Sequence, residues 1–91
     1  VRMLWIPRKG AFRAGSAQTS EWDVGNVGAF SVAMGNGTAA GGEWATALGY
    51  RSAARGAGSV AMGFQTTADG EGASALGNQT TASGANSTAM G

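Results

Sequence analysis

The chain has five carboxylates, Glu21, Asp23, Glu43, Asp69 and Glu71, and neither His nor Cys. Glu21 with Asp23, and Asp69 with Glu71, could each form the pair that general acid–base catalysis requires. Solvated turns account for the same residues, and that is the reading taken. Ser and Thr are abundant, but a hydroxyl becomes a nucleophile only beside a base, and the commonest base is missing. Without Cys there is no disulfide and no thiolate metal site. Without His the commonest metal ligand is gone. Calcium-binding β-rolls need a nonapeptide repeat rich in Gly and Asp, and Asp69 is the only Asp beyond the first 28 residues. No catalytic residue, no cofactor and no metal site is expected.

Binding chemistry has better candidates. Phe30 and Trp44 share one turn position, and Tyr50 and Phe64 share another, flanked by Asn36 and Asn78. Two accounts stand side by side: packing against neighbouring chains, which is favoured, or a sugar- or protein-binding face with aromatic anchors such as Trp44, Tyr50 and Phe64. A basic set, Arg2, Arg8, Lys9 and Arg13, holds four of the six cations. It could attract anionic glycans, or simply keep one end of the molecule solvated. Thr38, Ser52, Thr66 and Thr80 form a hydroxyl column, with Thr67 and Thr81 beside it. A flat Thr array would suit ice, but this column is narrow and interrupted by Ala39 and Ala53, so turn and ladder chemistry is the preferred account. Asn36-Gly37-Thr38, Asn78-Gln79-Thr80 and Asn86-Ser87-Thr88 match the glycosylation sequon and read equally as turns.

These residues hang on a repeat. Ala33-Met34-Gly35, Ala47-Leu48-Gly49, Ala61-Met62-Gly63, Ala75-Leu76-Gly77 and Ala89-Met90-Gly91 follow one another at a spacing of 14. A weaker Ala-x-Gly lies halfway between, at Ala40, Ala54, Ala68 and Ala82. A fixed short period without slippage is the mark of a solenoid. With 17 Gly in 91 residues, a helix is excluded, since each interior Gly costs about 1 kcal/mol against Ala. Strict periodicity of the apolar positions argues against disorder. A formal charge of +1 gives no nucleic-acid or membrane footprint, and no apolar run approaches the ~20 residues of a membrane helix.

Each coil should therefore hold two strands of about five residues joined by tight turns, with coils ~4.7 Å apart. Facing sheets with ordinary side chains need ~10 Å between them, more than so short a coil can span. The interior should accept only Ala, Gly and Ser. Val32, Met34, Leu48, Val60, Met62, Leu76 and Met90 must then point outward. Gly41, Arg55, Asp69 and Ser83, on the outer face of the second strand, suit water. An apolar stripe along a rod is an association surface, and each Met or Leu buried there contributes about 1.5–3 kcal/mol. An obligate oligomer is expected, closed by cyclic symmetry.

Residues 1–28 lack the Ala-x-Gly phase and are read as a cap or lead-in, because the terminal units of solenoids are atypical. Residues 29–91 are the repeats. Two strands are expected in the lead-in, one ending at Pro7 and one over Ala11–Gly15 with Phe12 on one face. The absence of an initiator Met, and an end inside a repeat, suggest a piece of a longer chain.

Ser31-Val32-Ala33-Met34-Gly35 and Ser59-Val60-Ala61-Met62-Gly63, with Ala-x-Gly half a period on, resemble the head repeats of YadA-like trimeric autotransporter adhesins. The likeness covers residues 29–91. Met and Leu stand where that family usually has Ile or Val. The resemblance implies an all-β fold, a left-handed parallel β-roll of 14-residue coils intertwined as a homotrimer, with the Val/Met/Leu face at the threefold axis. It further implies a fibre at the bacterial cell surface that binds a host or prey glycan or a matrix protein, with no nucleic-acid partner and no direct membrane contact from this segment. The competing reading is a structural spacer in a phage or other bacterial fibre that carries a separate tip domain. Residues 4–15 resemble a lead-in found before such repeats in other bacterial fibre proteins.

Overall fold

The computed structural model describes residues 2–7, 10–16 and 27–91. Among them there is no helix, and the chain winds into a β-solenoid of about four turns. Long strands β3 (Val32–Asn36), β5 (Thr46–Tyr50), β7 (Val60–Phe64), β9 (Ser74–Asn78) and β11 (Thr88–Met90) alternate with short strands β4 (Ala39–Ala40), β6 (Ala53–Ala54), β8 (Thr67–Ala68) and β10 (Thr81–Ala82). Long strands pair only with long ones and short with short, parallel throughout, with Ala33 beside Ala47 beside Ala61 beside Ala75. Each rung is thus shifted by one full coil, and the 14-residue period becomes the register.

The lead-in joins the same sheet. β1 (Arg2–Ile6) and β2 (Ala11–Ser16) form an antiparallel hairpin, and β2 then pairs parallel with β3. The longer sheet therefore has seven strands in the order β1-β2-β3-β5-β7-β9-β11. The boundary drawn at residue 28 does not interrupt its hydrogen bonding: Phe12, Arg13, Ala14 and Gly15 stand beside Val32, Ala33, Met34 and Gly35.

The interior is lined by Ala33, Ala47, Ala61 and Ala75 from the long strands and Ala40, Ala54, Ala68 and Ala82 from the short ones, all buried. Each methyl removed from water is worth about 0.8 kcal/mol, a small core for a chain of this length. Gly41, Arg55, Asp69 and Ser83 are exposed, as expected.

Three expectations need correction. The second strand of each coil has two residues, not five, because the chain must bend into a turn on either side of it. The Gly of Ala-Met/Leu-Gly is not an interior residue: Gly49, Gly63 and Gly77 are exposed. Their φ values run from +114° to +127°, and a Cβ at Gly35, Gly49 or Gly63 would collide with the carbonyl oxygen of the glycine one coil on. Close approach of backbones in a strained conformation requires Gly there, not narrowness of the bore. Lastly, the interior admits Thr, where only Ala, Gly and Ser were expected: the hydroxyl column faces inward and forms the ladder that was its preferred account. Thr38, Ser52 and Thr66 are fully buried; the Ser52 hydroxyl donates to Leu48 O at 3.0 Å, and that of Thr66 to Ser52 Oγ at 3.0 Å. A hydroxyl ladder inside the coil cannot meet ice, which removes that reading.

Candidate functional site

Outward positions of the long strands form two rows on one face. One runs Val32, Thr46, Val60, Ser74, Thr88; the other runs Met34, Leu48, Met62, Leu76, Met90. Directly opposed residues share a face, so both rows continue into the hairpin. Phe12 and Trp5 extend the first, and Ala14 and Met3 extend the second. Trp5, Met3, Met34, Met62 and Met90 are all exposed in the single chain. An apolar face of this extent is not an ordinary feature of a monomer surface.

The turns at either end of the long strands supply the other candidates. Phe30, Trp44, Gly58, Gly72 and Asn86 occupy one corner, and Gly37, Arg51, Gln65 and Gln79 the other, all in the left-handed region with φ between 54° and 69°. From Trp44 onward this conformation turns the N–H onto the preceding coil, as in Trp44 N to Ala29 O and Arg51 N to Asn36 O, both 2.8 Å. The sheet ladder is thereby carried around the corner, whatever the side chain. Glycine suits the position; a bulky residue there is strained by roughly 1–3 kcal/mol. Phe30 and Trp44 accept that strain while remaining 60% exposed.

At the opposite corner Tyr50 stacks on Phe64, centroids 5.0 Å apart and planes within 9°, and the Arg51 guanidinium lies 5.5 Å from the Tyr50 ring centre. Beside them Gln79 donates an amide hydrogen bond to Gln65 at 3.1 Å. Each ring covers one face of the other, and Phe64 remains exposed.

A family model described as the YadA head domain repeat matches residues 27–52, 40–66 and 68–91. The chain belongs to the YadA head-repeat family. Heads of this family are surface-exposed, structural parts of trimeric autotransporter adhesins and are not enzymes. The match takes in β3 to β11 and leaves the hairpin outside. No curated protein and no solved structure matches the chain.

Within this head-repeat framework the basic set divides. Arg8, Lys9 and the Arg2 side chain lie outside the described residues, as do Glu21 and Asp23. Arg13, expected on the surface, is fully buried. Its register places it on the interior line of Ala33 and Ala47, and its guanidinium donates to Phe12 O, Ser31 Oγ and Ala40 O at 2.9–3.0 Å. Burial pushes its pKa down to about 10, so it remains charged at neutral pH. Because the folded-state value is lowered, the cost of burying this charge applies at every pH below about 10 and is relieved only above it. The signal for this site was in the sequence: Phe12-Arg13-Ala14-Gly15 is Val-Ala-Met-Gly with one interior substitution. Asp69 is held by Arg55 at 3.1 Å on the exposed face, a salt bridge rather than half of a carboxylate pair. Thr38 of the first sequon is buried, whereas Asn78 and Asn86 are exposed.

Proposed function

We propose that this segment is part of an extracellular trimeric fibre, displayed at the bacterial cell surface, that mediates adhesion to a host or prey surface glycan or a matrix protein. The observation that carries the reading is the outward face of the long strands, an unbroken Met/Leu row beside a row that alternates Val with Thr or Ser, left outside a coil already filled by Ala. Three copies wound as left-handed parallel β-rolls would bring Val32, Met34, Leu48, Val60, Met62, Leu76 and Met90 to a common axis. Burial there supplies the apolar core that the Ala-lined bore lacks. Cyclic symmetry closes the assembly without a free contact surface. Residues 1–28 serve as its N-terminal cap. The sparse charge, formally +1, is in keeping with a segment that contacts neither nucleic acid nor membrane, and among the described residues no helix is long and apolar enough to cross one.

A spacer role, in a phage or another bacterial fibre, is favoured by one observation: Tyr50 and Phe64 each spend one ring face on the other. Screening the assembled chain against glycans and matrix proteins separates the two, since a spacer assembles and binds none. Assembly itself is tested by light scattering on the chain and on the double variant Met34→Asp with Met62→Asp. The expected result is a mass of three chains for the first and loss of assembly for the second. A double variant that stays trimeric, or folds well as a monomer, contradicts the reading.

A further inference from the structure

At the level of β5 both flanks of the coil carry an aromatic and a charge. Glu43 and Trp44 precede the strand on one side; Tyr50 ends it and Arg51 follows on the other. Trp44 holds a left-handed backbone at φ 62° and is 60% exposed. That conformation is demanded by its N–H bond to Ala29 O, but the indole is not demanded by anything in the chain. The same corner is Gly58 and then Gly72 in the next two coils, each at φ 69°. The indole thus has no visible compensation within its own chain. On the other flank Arg51 sits over the Tyr50 ring, which places a cation and a stacked aromatic together. No other level joins an acidic–aromatic flank to an aromatic–basic one.

We infer that these flanks are the two halves of one contact between copies of this chain: Glu43 and Trp44 of one protomer dock on Tyr50 and Arg51 of the next. The inference rests on the trimer proposed above. In a cyclic assembly each contact is heterologous, one flank meeting the opposite flank of the neighbour. Parallel copies related by rotation about the axis bring the same level side by side. Opposite charges then fix register and aromatics anchor the contact. The Met/Leu row is periodic along the axis and tolerates a slip of one coil; the β5 flanks occur once and do not.

The chain has no Cys, so cross-linking gives a clean test. Under mild oxidation or a short bismaleimide, Glu43→Cys with Arg51→Cys should close into a covalent trimer on a non-reducing gel, while each single variant stays unlinked. Trp44→Gly should keep its β-sheet signal but dissociate at about 10-fold higher protein concentration. Glu43→Arg should weaken assembly, and adding Arg51→Glu should restore it. A double-cysteine trimer that does not cross-link, or a Trp44→Gly trimer with unchanged dissociation, overturns the inference. So does a Trp44→Gly chain that assembles normally and loses only glycan binding, which would make this a ligand face. A monomeric wild-type chain overturns both this contact and the trimer; a wild-type trimer with uncoupled flanks overturns this contact alone.

Discussion

β2 and β3 lie side by side in one register and are built differently. Phe12, Arg13, Ala14 and Gly15 meet Val32, Ala33, Met34 and Gly35. The glycine is unchanged, the outward residues keep their apolar character, and the interior residue goes from the smallest apolar side chain to a long cation. The backbone column is therefore the strict requirement, and interior size follows from what lies across the bore. Between coils, the space opposite Ala33 or Ala47 is filled by the Ala of the short strands. At the hairpin level the four-stranded sheet has ended at β4, and Arg13 reaches across to the Ala40 carbonyl that also accepts the Gly28 N–H. The guanidinium there gives the Ala40 carbonyl a second donor beside the Gly28 N–H.

That comparison can be broken at several points. The largest effect is expected in the glycine column. Gly49→Ala in the coils and Gly15→Ala in the hairpin both drive a Cβ into the neighbouring carbonyl, and each should cost on the order of 4 kcal/mol or more, seen as loss of the cooperative thermal transition. Gly58→Ala has open space and should cost only about 1 kcal/mol. If Gly15→Ala were as mild as Gly58→Ala, the hairpin would not be stacked as the coils are. Next comes Arg13→Ala, which gives the hairpin the interior residue of every other rung. It should lose about 2–3 kcal/mol and raise amide exchange in β2 and β4, and Arg13→Lys should not restore it, since one ammonium cannot span three acceptors in the same geometry. Equal stability of Arg13→Ala and wild type would erase the difference between the two rungs. The smallest effect is a gain. The buried Ser59 hydroxyl has no hydrogen-bond partner, and Ala45 and Ala73 fill its position in adjacent coils. Ser59→Ala should stabilise by about 1 kcal/mol in chemical denaturation, and a loss would mean that this hydroxyl has a role in the coil.

The coil was legible from the sequence because its period is a backbone property written in side chains. Ala33-Met34-Gly35 repeats without slippage, and alternation alone separates inner Ala from outer Met. Location of the glycines was less legible: Gly49 and Ala47 are both small and share a parity, but one fills space and the other permits a positive φ. Composition does not distinguish the two, whereas geometry does. The ladder role of the hydroxyl column is legible in the sequence, but its burial is not, because Thr38 and Ser52 look like turn residues and only the turn's curl shows that they close the bore. Arg13 was hidden by its charge, which reads as surface until register places it on an interior line. The strain at Phe30 and Trp44 has no sequence signature, since an aromatic in a left-handed corner spells the same as one in a strand.

Methionine oxidation followed by mass spectrometry tests the central claim most directly, because Met3, Met34, Met62 and Met90 mark the apolar face from hairpin to last coil. In the single chain Met3 is 73%, Met34 43% and Met62 39% exposed. The account predicts that at assembling concentrations all three are protected together, and that Met34→Asp with Met62→Asp returns Met3 to rapid oxidation. Oxidation of the wild-type chain that simply follows those single-chain exposures, unchanged by concentration, would contradict it.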